Sequence, residues 1–290
     1  MSSHIINFIN VTRLNKPIGF LLLFWPCAWG LSLGNYFNNK GLGIYFYYLL
    51  LFFCGSVLMR SAGCIVNDIV DEKIDQRVSR TKERPIASGS LKKSLAWIYV
   101  FTLCLLAFLI LIQFNFLTIC LGIFSMLFAF SYPFMKRYTY WPQLFLGFTF
   151  NWGIVMAWTS ITNEISYLPI LLYIGAIFWT LGYDTIYGIQ DISDDEVIGV
   201  KSTAIKFKNN LNLFVGLSYL ISSTLIFLVL LNIKINFSIF FFIFFILSLL
   251  YQMKIFQSKN PSDCLRAFKI NNISGLFIFL SLFLLSFKTI

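Results

Sequence analysis

The chain has 290 residues, 58% of them hydrophobic and 12% charged, with a formal net charge of +10. Apolar runs of spanning length recur from end to end, which excludes a water-soluble globular fold and predicts one membrane-embedded helical domain over residues 1–290. In such a chain the excess of Lys and Arg reads as cytoplasmic retention, so no nucleic-acid partner is expected.

The six cysteines, Cys27, Cys54, Cys64, Cys104, Cys120 and Cys264, form no CxxC pair. They read as packing residues. His4 is the only histidine, which excludes a His base, a His-rich metal site and a Ser-His-Asp triad. Residues 1–15 carry no apolar segment ahead of a cleavage site, and no signal peptide is expected.

The elements follow in chain order. Apolar runs predict spans at 17–36, 42–66, 95–112, 116–132, 142–161, 167–186, 211–231, 237–253 and 273–287. The fold class is all-α: a polytopic bundle of about nine transmembrane helices around a central cavity. Tight turns at 38–41, 113–115, 162–166 and 232–236 alternate with longer polar segments at 67–94, 133–141, 187–210 and 254–272. With the N-terminus inside, Lys40, Lys234 and Lys288 fall outside, and the other nineteen of the 22 Lys and Arg residues fall inside. That asymmetry predicts a cytoplasmic N-terminus and an outer C-terminus. It also puts eleven of the 12 acidic residues on the cytoplasmic face, with Glu164 alone outside. An active-site mouth at the cytoplasmic surface follows.

Nine of the 12 acids fall in two short stretches, each ending an apolar run. In the first, Asn67, Asp71 and Asp75 are four residues apart in turn, which stacks them on one helix face. Arg60 precedes them, and Arg77, Arg80, Lys82 and Arg84-Pro85 follow. In the second, Asp184, Tyr187, Asp191 and Asp195 are spaced three, four and four, with Lys201 beyond. Carboxylates beside dense basic runs suit an anionic ligand bound through a metal. Oxygen ligands favour Mg²⁺, which keeps substrate phosphates in its shell, and the basic groups would hold phosphate oxygens directly. Asp184 lies deep enough to be costly in a bilayer without a partner, which marks it as functional. The Tyr187 hydroxyl shares its face and could bond a carboxylate or phosphate. A cation path in a transporter would also use such acids, but the basic runs beside them would repel a cation.

Asn-Asp-x-x-Asp-x-x-x-Asp at residues 67–75, followed by Arg80-Thr81 and Arg84-Pro85, resembles the first Asp-rich motif of the UbiA-type intramembrane aromatic prenyltransferases. Asp184-x-x-Tyr187-x-x-x-Asp191-x-x-x-Asp195 resembles their second motif. Arg13-Leu-Asn-Lys16-Pro17-Ile-Gly19, Arg60-Ser-Ala-Gly63-Cys64, Tyr132-Pro133-Phe-Met-Lys136-Arg137 and Ile198-Gly-Val-Lys201-Ser-Thr are similar to the branch that prenylates 4-hydroxybenzoate. Asn15 departs from the Asp expected there. The resemblance runs from about Arg13 to about Ala204 and leaves the last spans matched in hydropathy alone.

The resemblance implies transfer of a polyprenyl group from a polyprenyl diphosphate to the ring carbon next to the hydroxyl of 4-hydroxybenzoate. This is a step towards ubiquinone in a bacterial inner membrane, with the lipid bilayer around it. It implies Asp71, Asp75, Asp191 and Asp195 as the catalytic acids. Asn67, Asp71 and Asp75 would hold one Mg²⁺, and Asp191 and Asp195 a second. Arg80, Lys136, Arg137 and Lys201 would contact phosphate, and Arg60, Asp184 and Tyr187 would join the substrate site. Arg13, just before the first span, is expected to take the acceptor's carboxylate. Other branches share the paired motifs and differ in the acceptor. The two acidic ladders are expected to face each other across the cavity.

Overall fold

The computed structural model describes residues 3–78, 80–233, 238–257 and 260–286. Lys234 and Lys288, and the span edges at Phe237 and Phe287, lie outside the described residues. Among the described residues there are only helices. A short helix α1 (Ser3–Thr12) precedes α2 (Ile18–Phe37), α3 (Leu42–Asp75), α4 (Lys93–Leu111) and α5 (Phe116–Tyr138). Then come α6 (Pro142–Asn151) and α7 (Gly153–Thr162), two halves of one span broken at Trp152, and α8 (Tyr167–Gly188). A 3₁₀ turn (Ile189–Asp191) and the short helices α9 (Ile192–Ile198) and α10 (Thr203–Lys206) follow. The spans α11 (Leu211–Leu231), α12 (Ser238–Phe256) and α13 (Pro261–Ser286) complete the described chain.

Nine stretches among the described residues are long and apolar enough to cross a membrane. The physical reason is general: lipid offers no partner to backbone N–H and C=O groups, so each apolar run satisfies them within a helix. The outward faces remain apolar, with Phe101 71% and Phe116 81% exposed, as a lipid-facing surface requires. The interior is tied together by close approaches and by buried polar contacts. An added Cβ on Gly30 would lie 2.1 Å from the Ile154 carbonyl oxygen, so only glycine lets α2 and α7 cross this closely. Trp29 and Trp179 pack in the main core with ring centroids 5.1 Å apart and planes tilted by 38°.

Two spans differ from the sequence expectation. α3 runs unbroken to Asp75, so the first acidic ladder is part of the helix itself. α13 begins at Pro261, twelve residues before the expected span, inside a segment read as polar connection. Its polar residues have partners within the bundle. Asn271 Nδ2 donates to Gln252 Oε1 at 2.9 Å, and its Oδ1 accepts from Trp179 Nε1 at 2.8 Å. Asn272 Oδ1 accepts from Trp25 Nε1 at 2.8 Å. Satisfied side chains allow a polar stretch to continue as a buried helix.

Candidate active site

The register of α3 carries Asn67, Asp71 and Asp75 to one wall of a cavity of about 1440 Å³. The second ladder is not one helix. Asp184 and Tyr187 end α8, Asp191 closes the 3₁₀ turn, and Asp195 lies on α9. The local tightening still turns all four towards the same cavity. Arg13, Arg60, Arg80, Lys136 and Lys201 line it as well, while Arg137 does not. Arg137 instead donates to the Val70 carbonyl at 2.8 Å.

Most of the acids hold a base. Lys136 Nζ bonds Asp71 Oδ2. Arg84 Nη1 donates to Asp75 Oδ2 at 2.8 Å. Arg80 grips Asp191 with both sides of its fork, Nε to Oδ1 at 2.8 Å and Nη2 to Oδ2 at 2.7 Å, and its Nη1 reaches the Tyr187 hydroxyl at 3.2 Å. This clasp joins the segment after the first ladder to the second ladder. Burial works against the charge of Arg80, yet Tyr187 and Asp191 push its pKa above the ordinary value. Lys201 binds the neighbouring segment through its backbone N–H, which donates to the Lys136 carbonyl at 2.9 Å, and its Nζ lies 5.5 Å from the Tyr140 ring centre.

Arg13 lines the cavity and is paired with an acid off the ladder face. Its Nη2 donates to Asp68 Oδ1 at 2.6 Å, and Arg84 Nη1 approaches the same oxygen at 3.1 Å. Asp68 is buried and does not line the cavity. It is one residue off the ladder face, so helical spacing alone gives no reason to single it out. Its role is to hold two arginines at the mouth. Asp68→Asn is expected to weaken this partly buried cluster by about 3 kcal/mol. The check is a melting temperature several degrees lower in detergent.

The mouth is strongly cationic. Burial first, then Arg13, Arg80, Arg84 and Lys269, lower the pKa of Lys16 below its ordinary value. Lys269, Phe268 and Asn272 reach the cavity from α13, in a region without any motif, so only packing reveals them. Deeper down, Arg60 lines the cavity from α3 with no ion pair or hydrogen bond among the described residues. Its Nε is buried and unsatisfied, and its guanidinium sits 5.4 Å from the Phe150 ring centre. Below the charged rim the walls turn apolar, with Leu51, Phe52, Leu111 and Met126. Phe108 of α4 and Ile123 of α5 also line this apolar part of the cavity.

Among the described residues no three acids converge closely enough to ligate one ion. The donor set nevertheless fits Mg²⁺. It consists of carboxylates and one amide oxygen, with no sulfur or imidazole. Asp71 Oδ1 is buried without a hydrogen bond, because Arg137 Nη2 stops at 3.5 Å.

The model of the UbiA prenyltransferase family matches residues 23–281. The chain belongs to that family. Among its UbiA relatives, the 4-hydroxybenzoate octaprenyltransferase of Vibrio atlanticus is 40% identical over 277 residues, 94% of this chain and 95% of that one. The mitochondrial 4-hydroxybenzoate polyprenyltransferase of Arabidopsis thaliana is 46% identical over 208 residues, 71% of this chain and 50% of that one. The fold matches the apo structure of a UbiA homologue from Aeropyrum pernix with a TM-score of 0.76 at 20% identity, covering 91% of this chain and 97% of that one. A UbiA homologue from Archaeoglobus fulgidus, solved with GPP and Mg²⁺, matches with a TM-score of 0.73 at 17% identity, over 95% and 98% of the two chains.

Proposed function

We propose that this UbiA-family chain transfers a polyprenyl group from a polyprenyl diphosphate to the carbon beside the hydroxyl of 4-hydroxybenzoate, as a step towards ubiquinone. The observation that carries the reading is a single cavity lined by both acidic ladders, with a cationic rim and an apolar depth. A rim of that kind suits a diphosphate, and the depth suits its tail. Relatives at 38–46% identity carry this acceptor in their names. The setting is a bacterial inner membrane, with the N-terminus and the mouth cytoplasmic and the C-terminus outside, in keeping with the asymmetry of Lys and Arg.

Asn67, Asp71 and Asp75 on one wall, and Asp191 and Asp195 on the other, would hold Mg²⁺. The bound metal would stabilise the charge that develops on the departing diphosphate. The chain's own residues do the rest. Arg80, Lys136 and Lys201 neutralise phosphate oxygens, and the first two are free to do so once their carboxylates take metal. The apolar walls keep water from the allylic cation, and aromatic faces on those walls stabilise it. The hydroxyl donates electron density into the ring carbon beside it, which makes that carbon the nucleophile.

The acceptor's carboxylate needs a bidentate cation. Arg13 is committed to Asp68, whereas Arg60 has no ion pair and faces the cavity. Arg60 is therefore the anchor we assign. The test uses membranes carrying the chain, Mg²⁺, a polyprenyl diphosphate and a panel of labelled aromatic acids, with products identified by mass. The expected product is 3-polyprenyl-4-hydroxybenzoate. Prenylation of a dihydroxynaphthoate in its place would replace the acceptor and leave family membership intact.

A further inference from the structure

Asp184 is the one acid of the second ladder placed deep in the cavity rather than at its rim. It lies seven residues before Asp191, and Arg60 lies seven before Asn67. For Arg60 that is about 10 Å along α3, and Asp184 lies on α8 ahead of the 3₁₀ turn that carries Asp191. The two groups thus precede the metal ladders on two different helices, one on α8 and one on α3. They lie within electrostatic reach of each other, yet no Arg60 nitrogen comes within 4.0 Å of an Asp184 oxygen. Asp184 has no ion pair and no side-chain hydrogen bond among the described residues. A carboxylate left unpaired within a membrane-spanning bundle is costly, and its persistence calls for a ligand that supplies the missing proton or donor. The Tyr183 hydroxyl, also on the cavity wall, is buried and unsatisfied.

We propose that Asp184 is the general base of the reaction, receiving the proton of the acceptor's phenol. The inference rests on the acceptor assigned above. 4-Hydroxybenzoate carries its carboxylate and its hydroxyl at opposite ends of the ring. A ring anchored by Arg60 at one end bridges the gap and brings the hydroxyl to Asp184. As the allylic C–O bond breaks, its electron pair leaves with the diphosphate. The ring carbon beside the hydroxyl bonds the allylic carbon, and the phenol proton passes to Asp184. The resulting ketone loses the hydrogen on the newly bonded carbon as a proton to the departing diphosphate, which restores the aromatic ring. Asp184 then returns its proton to the phenolate oxygen. The balance is one prenyl group gained by the ring, and one proton released with diphosphate.

The experiment compares wild type, Asp184→Asn and Asp184→Glu with 4-hydroxybenzoate and with 3-fluoro-4-hydroxybenzoate, whose phenol is more acidic. A base of this kind is worth about 100-fold or more. Asp184→Asn is expected to lower kcat with 4-hydroxybenzoate by that factor while KM for the prenyl diphosphate stays within about threefold. The rate ratio of fluorinated to parent acceptor is expected to rise at least ~10-fold in Asp184→Asn over wild type, because a more acidic phenol depends less on a base. That ratio is taken within one preparation, so it is independent of how much protein has folded. Asp184→Glu is expected to restore part of the rate. An unchanged ratio overturns the proposal, as does a loss confined to KM for the prenyl diphosphate. A wild-type protein inert towards 4-hydroxybenzoate overturns the acceptor as well, and that is seen before any variant is measured.

Discussion

Asp71→Ala and Asp191→Ala are each expected to abolish prenyl transfer, by at least ~1,000-fold, while the protein still inserts and folds. The magnitude follows from the task. A metal at a departing diphosphate contributes several kcal/mol of charge stabilisation, and each 1.4 kcal/mol is about tenfold in rate. The two losses are separable because the residues sit on different elements, Asp71 on α3 and Asp191 in the 3₁₀ turn after α8. Folding is expected to survive because each variant frees a base that water can reach. Lys136 is 24% exposed and Arg80 43% exposed. EDTA should stop the wild-type reaction and Mg²⁺ should restore it. Full activity in metal-free membranes would sink the mechanism.

Arg60→Ala is expected to lower kcat/KM for 4-hydroxybenzoate by about 100-fold, the cost of losing a buried charge-assisted pair. KM for the prenyl diphosphate should stay nearly unchanged. Arg60→Lys should recover little, because a point charge cannot replace the planar fork. Gly19→Ala offers a milder probe without touching the charge: the added Cβ would lie 2.8 Å from Arg60 Nε and push the guanidinium off its place. Arg13→Ala is the control. Its guanidinium serves Asp68, so it should lower thermal stability more than it raises KM for the acceptor. Equal KM effects from Arg13→Ala and Arg60→Ala would return the carboxylate to Arg13.

The family resemblance was legible because its carriers are local. Asn67, Asp71 and Asp75 advertise a shared face by spacing alone, and Asp184 stands out because an acid in an apolar run is rare. What spacing cannot convey is which base meets which acid. Arg13 and Asp68 are 55 residues apart, and Arg80 and Asp191 are 111 apart. Such pairs are chosen by how the helices pack. The sequence pattern marked Arg13 by its position before a span, and only packing shows that it pairs with Asp68.

The sequence by itself determined the spans and the two acidic ladders, because a bilayer turns every long apolar run into a helix and a helix turns a four-residue spacing into a face. The ladders line one cavity, as the paired motifs led us to expect, but only the tertiary structure decided that the second is broken by a 3₁₀ turn and that α13 contributes Lys269 and Asn272 to the mouth. Hydropathy reads 254–272 as a polar connection. In the fold, Asn271 and Asn272 find Gln252, Trp179 and Trp25, and a polar residue whose partners come from other helices is indistinguishable, along the chain, from one that faces water.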